Sequence, residues 1–121
     1  MPLVFIIDDD SAALSSVVSL LTACQYEVRA FNSAEAFLAS GETTERGCLV
    51  CDVRLPGMSG LELQSTLKSR GIQLPVILVS GYADLDTVTK ALEDGVVRVL
   101  EKPVDPDVLL EHVETAIQIA Q

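Results

Sequence analysis

Three carboxylates in a row, Asp8, Asp9 and Asp10, follow the apolar stretch Leu3-Val4-Phe5-Ile6-Ile7. Like charges so close together are costly unless a cation joins them. Further along, Asp52 closes the apolar run CLVCD, Ser80 closes PVILVS, and Lys102 stands just past VVRVL, between Glu101 and Pro103. Oxygen donors with no histidine or thiol beside them select a hard ion, Mg2+ or Mn2+. Magnesium favours one or two carboxylates together with a phosphate oxygen, and lysine and serine are the side-chain types that hold a phosphoryl group. The chemistry these residues could do together is metal-assisted handling of a phosphoryl group.

Such convergence requires a scaffold, and the chain supplies one. Short apolar runs alternate with helix-period segments five times, the pattern of βα units and a parallel sheet. The expected strands are 3–7, 27–31, 48–52, 75–80 and 96–100. Helices are expected from about Ser11 to Cys24, after Asn32-Ser33 to near Gly41, from Gly60 to Arg70, from Asp84 to Asp94, and from the DPD at 105–107 onward. Leu14, Val17, Val18 and Leu21 make one face of the first helix, and Leu85, Val88 and Leu92 one face of the fourth. Leu109, Val113, Ala116, Ile117 and Ala120 make the inner face of the fifth. Strands one, three and four are nearly continuous apolar runs, as strands covered on both faces must be. Strands two and five alternate, which suits edges. The order 2-1-3-4-5 follows: a single doubly wound (βα)5 flavodoxin-like domain over residues 1–121, with ligands expected at the carboxyl ends of the central strands. There, Asp8, Asp9, Asp52, Ser80 and Lys102 fall on one spot.

Composition narrows the class further. With 121 residues, 49% of them hydrophobic, the chain can fill one core. Eighteen acidic against eight basic residues give a formal charge of −10, which opposes nucleic-acid binding by this domain. Apolar runs reach only about five residues, against the ~20 needed to span a bilayer, so no membrane association is expected. The amino terminus has neither a basic region nor a small-residue cleavage site, and a cytoplasmic location is expected. Three cysteines do not suggest a disulfide framework. Cys48 and Cys51 lie three apart on a strand, so they point to opposite faces and read as buried structural thiols. Asp10 before Ser11 reads first as a helix cap. His112, alone on an amphipathic helix, is assigned no role.

The motifs IIDDD (6–10), CDVRLPGMSGLEL (51–63), VILVSGYAD (76–84) and LEKPVDPDVLL (100–110) resemble the receiver domains of bacterial response regulators, the CheY-like fold. FLASGE and GMSGLEL are closest to the FixJ-type group. The resemblance implies that Asp52 is the phospho-acceptor for a sensor histidine kinase, that Asp9 and Asp52 ligate Mg2+ with the backbone carbonyl of Arg54, and that Asp8 assists through a water. Lys102 pairs with the phosphoryl oxygens, Ser80 hydrogen-bonds to them, and the Lys102-Pro103 bond is expected to be cis. Arg54 and Tyr82, two places beyond Asp52 and Ser80, are expected to set the lifetime of the acyl phosphate. The family's aromatic switch position is Val99 here, so coupling is expected either to be weak or to run through Gly81 and Tyr82 to the face of helix four, strand five and helix five, which could also pair two copies. The resemblance does not settle whether a DNA-binding output domain follows Gln121 or the receiver stands alone.

Two rival readings stand beside it. One is a receiver-like interaction module that is never phosphorylated, favoured by Val99. The other is a haloacid-dehalogenase-type phosphohydrolase, since Asp8-Asp9-Asp10 contains the D-x-D pattern; it leaves Asp52 unused.

Overall fold

In the computed structural model, which describes residues 2–41, 47–82 and 84–120, ten elements alternate strictly between strand and helix. They are β1 (Leu3–Ile7), α1 (Ser11–Ala23), β2 (Glu27–Phe31), α2 (Ala34–Ala39), β3 (Gly47–Asp52), α3 (Gly60–Ser69), β4 (Val76–Ser80), α4 (Leu85–Glu93), β5 (Arg98–Glu101) and α5 (Pro106–Ala120). All strand pairs are parallel and the sheet order is β2-β1-β3-β4-β5, as the strand composition implied. The register sets Leu3 beside both Glu27 and Gly47, Leu49 beside Val76, and Ile77 beside Arg98.

The period-2 alternation of strands divides the interior into two cores. Phe5, Ile7, Leu49, Cys51, Val76 and Leu78 point to one face. There they meet Ala34 and Phe37 of α2, Leu63 and Leu67 of α3, and Ala91 of α4. Val4, Ile6, Cys48, Val50 and Ile77 point to the other, against Leu21 of α1 and Leu109, Val113, Ala116 and Ile117 of α5. Burial of each large side chain contributes about 1.5–3 kcal/mol. Phe37 stacks edge-on against Phe5 at 5.2 Å and Phe31 at 5.4 Å between ring centres, which anchors the short α2. Cys48 and Cys51 face opposite cores, as their spacing requires. Burial pushes the Cys48 thiol up to about 12 and raises that of Cys51 as well.

Local signals fix where the helices begin. The Asp10 carboxylate accepts from the backbone N–H groups of Ala12 and Ala13 and so caps α1. Ser33 caps α2, Asp84 caps α4, and Ser59 with Glu62 forms a capping box on α3. The Asp105 carboxylate accepts from Asp107 N–H at the start of α5.

Two expectations need correction. The apolar face of α4 is not Leu85, Val88 and Leu92: Leu85 is 79% and Leu92 49% exposed, and the helix meets the core through Ala91, while Val88 is only half-buried. Ala91 lies roughly 100° around the helix from Leu92, and its small side chain lets α4 approach the sheet. Strand β5 starts at Arg98 rather than at Val96, because Val96 N–H closes the end of α4 on the carbonyl of Ala91. The side chain of Ala120 lies outside the described residues.

Candidate functional site

The carboxyl ends of β1, β3, β4 and β5 carry the polar residues. Asp8 and Asp9 extend β1, and Asp52 is the last residue of β3. One carboxylate oxygen from each of Asp8, Asp9 and Asp52 lies within 4.8 Å of the others. Asp8 and Asp52 are buried and Asp9 is exposed. The donor set is all oxygen, with one open side, and fits a hard divalent ion that retains waters. Burial raises the pKa of the Asp8 carboxyl. The hydrogen bond from Asp10 N–H and the charge of Lys102 offset part of this, and the charges of Asp52 and Asp9 add to it.

Both oxygens of Asp52 are engaged. Oδ1 accepts from the backbone N–H of Arg54 at 3.0 Å, and Oδ2 accepts from Lys102 Nζ at 2.5 Å. Lys102 itself is positioned by its backbone N–H, which donates to the carbonyl of Ser80, and the following bond to Pro103 is cis, as expected. Burial would lower the lysine's pKa, but the hydrogen bond and charge of Asp52, aided by Asp8 and Asp10, outweigh it and raise the value. The ammonium is therefore held charged over the Asp52 carboxylate.

Ser80 is buried, yet its hydroxyl is occupied locally. It donates to the carbonyl of Tyr82 at 2.8 Å and accepts from Tyr82 N–H at 3.1 Å. The Tyr82 ring stands out at 66% exposure, and Leu85 is exposed too. Arg54 is exposed on the rim, and its charge reaches Asp84, the cap of α4; the Asp84 carboxyl is lowered first by the backbone N–H of Thr87 and only last by Arg54. Val99 is half-buried against the core beneath α3 and α4.

The sheet thus brings Asp8, Asp9, Asp52 and Lys102 together, and places Ser80 one strand away with its hydroxyl turned aside. Asp10 is spent on capping α1, so the D-x-D pattern lacks its second acid in the site. Close packing under Asp52 depends on Gly60: a Cβ there would lie 2.6 Å from the Asp52 carbonyl oxygen and 3.1 Å from Leu78. One contact near the site escaped the sequence reading. The Glu35 carboxylate of α2 accepts from Met58 N–H at 3.0 Å, across 23 residues of chain, and no local motif signals it.

The family profile described as "Response regulator receiver domain" matches residues 4–114, and the chain belongs to that family of two-component signalling domains. It is 38% identical over 117 residues to the response regulator protein TodT of Pseudomonas putida, covering 97% of this chain and 52% of that protein. It is 40% identical over 114 residues to the transcriptional regulatory protein FixJ of Azorhizobium caulinodans, covering 94% and 54%. The chain therefore spans about half the length of these curated relatives. Among solved structures, FixJ-N superposes with a TM-score of 0.89 at 36% identity, covering 98% of this chain and 94% of that one. The response regulator StyR gives 0.92 at 34% identity, covering 98% and 60%. Among the described residues, no helix is long and apolar enough to cross a membrane.

Proposed function

We propose that this domain is a phospho-acceptor switch: Asp52 takes a phosphoryl group from a phosphohistidine on a sensor histidine kinase. The observation that carries this reading is the meeting of Asp52 with Lys102 at 2.5 Å inside a cluster of three carboxylates. A carboxylate approaching a phosphoryl group is repelled by it, so the work of the site is charge neutralisation and alignment. Asp8, Asp9, Asp52 and the Arg54 carbonyl are the groups that would hold Mg2+, which when bound supplies positive charge against the phosphoryl oxygens.

One Asp52 oxygen attacks phosphorus, the phosphorus–nitrogen bond to imidazole breaks, and its electron pair stays on the ring nitrogen. An acyl phosphate results. Lys102, already charged, passes from the carboxylate to the phosphoryl oxygens. Ser80 completes the cradle only by giving up its two bonds to Tyr82, which releases the backbone that leads into α4. That exchange is the origin of the switch, and Val99 is not asked to act as a lever. Tyr82 and Arg54 line the approach of the hydrolytic water and set the lifetime of the phosphorylated state. The face of α4, β5 and α5, with Leu85 and Leu92 already exposed, carries the signal to a partner or a second copy.

The test is incubation with Mg2+ and acetyl phosphate, followed by mass measurement and peptide mapping. A phosphoryl adduct on Asp52, absent in Asp52→Asn and absent without the metal, is expected. An adduct that survives Asp52→Asn, or none in the native chain, defeats the reading.

A further inference from the structure

The loop from Val53 to Ser59 joins the acceptor strand to α3. Its first half is tied inward: Val53 N–H donates to the carbonyl of Val79 at 2.8 Å, and Arg54 N–H to Asp52 Oδ1. Its end is fixed by the capping box of Ser59 and Glu62. The tip between them contains Pro56, which has no N–H to donate, and Gly57, whose φ of +75° suits glycine. This tip is gripped from outside the loop. Glu35 reaches across from the first turn of α2, and its Oε2 accepts from Met58 N–H. The same oxygen lies 2.3 Å from where a Cβ on residue 57 would stand, so glycine there also makes room for the carboxylate.

Glu35 has a plainer role as an acid in the first turn of its helix. That role explains neither the cross-loop bond nor the notch at Gly57. α2 in turn is fixed by Phe37, fully buried between Phe5 and Phe31. A chain of contacts therefore runs from the β1–β2 core through Phe37 and Glu35 to the loop that carries Arg54.

We propose that Glu35 is a positioning residue for the metal site: its carboxylate clamps the tip of the loop after β3 and so holds the Arg54 carbonyl where a divalent cation needs it. This rests on the reading of Arg54 as a backbone ligand. Groups that act on a metal through its ligands typically cost 10–100-fold in affinity when removed. Glu35 acts through four residues of backbone, so Glu35→Ala should raise the Mg2+ concentration at half-saturation by up to about 10-fold, the low end of that range.

The probe is Mg2+ itself, titrated against the intact chain and followed by amide chemical shifts, with hydrogen exchange at the Met58 amide and a urea melt on the same samples. Glu35→Ala should weaken Mg2+ binding and speed exchange at Met58. Glu35→Gln, which keeps an acceptor oxygen, should lie closer to the native chain in both. Equal half-saturation in Glu35→Ala and the native chain overturns the proposal, as does a Glu35→Gln variant no better than Glu35→Ala. If the native chain itself ignores Mg2+, the phospho-acceptor reading falls, and the clamp is then judged on Met58 exchange: an unchanged rate in Glu35→Ala removes it too.

Discussion

The two flanks of the site are built differently. The β1–β3–α3 side is closely packed and bonded at the acidic residue of β3. Asp52 is bonded at both oxygens, and α3 buries Gly60, Leu63, Gln64 and Leu67. On the β4–α4–β5 side, α4 buries Ala91 alone and presents Leu85 and Leu92 to solvent, while Ser80 spends its hydroxyl on the turn that leads into the helix. Few buried apolar contacts mark the parts of a fold that rearrange at low cost. One flank is therefore the fixed side of the proposed metal and phosphoryl site, and the other is freer to rearrange.

The sharpest way to break this contrast is to truncate one leucine on each flank. Leu63→Ala empties a fully packed position and should cost about 2–5 kcal/mol in urea unfolding. Leu85→Ala should stay within about 0.5 kcal/mol; comparable losses at both would erase the distinction. Gly60→Ala sets a methyl against the Asp52 carbonyl, and overpacking of this kind costs about 1–3 kcal/mol. Phosphorylation of Asp52 by acetyl phosphate should slow with it.

Ser80→Ala should cost only about 1 kcal/mol, the net worth of an ordinary hydrogen bond. It should leave the Asp52 adduct in place while abolishing the amide shifts of α4 that accompany phosphorylation. Shifts that persist in this variant would move the coupling elsewhere.

The smallest effect concerns the acidic cluster in metal-free buffer. The folded-state pKa of Asp8 stands above its ordinary 3.8, chiefly through burial. The sign is that of a raised acid: its favourable contribution is complete below 3.8 and is lost as pH rises through the folded value. At neutral pH the ionised group is a burden, so Asp8→Asn should raise the metal-free thermal midpoint there. The gain should vanish in acid, where the native Asp8 is protonated too. A gain that persists in acid would mean that packing, not charge, is responsible.

Much of this was legible in the sequence because it lies in local pattern. Uninterrupted apolar runs marked the central strands, alternation marked β2 and β5 as edges, and a polar residue after each central run marked the rim where the site forms. The cap at Asp10 was equally plain, since Asp-Ser before an amphipathic segment has few other uses. What stayed hidden depends on rotation and on distant pairing. Spacing alone made Leu85, Val88 and Leu92 the face of α4, yet the phase of a helix on a sheet is set by which side chain is small enough to approach, and that was Ala91. The pairing of the Ser80 hydroxyl with Tyr82 depends on the backbone of the following turn. The grip of Glu35 on Met58 joins segments 23 residues apart with nothing in either to announce the other.

The cysteines offer a practical dividend. Cys48 and Cys51 sit back to back in the middle strand, sealed in separate cores with their thiols held protonated, whereas Cys24 ends α1 in the open. A thiol-reactive dye or spin label added to the unmodified chain should therefore attach at one address, on the end of the molecule opposite the carboxylate rim. Distances from that fixed mark to a second label on α4 would test the proposed switch without rebuilding the protein's natural sulfur content.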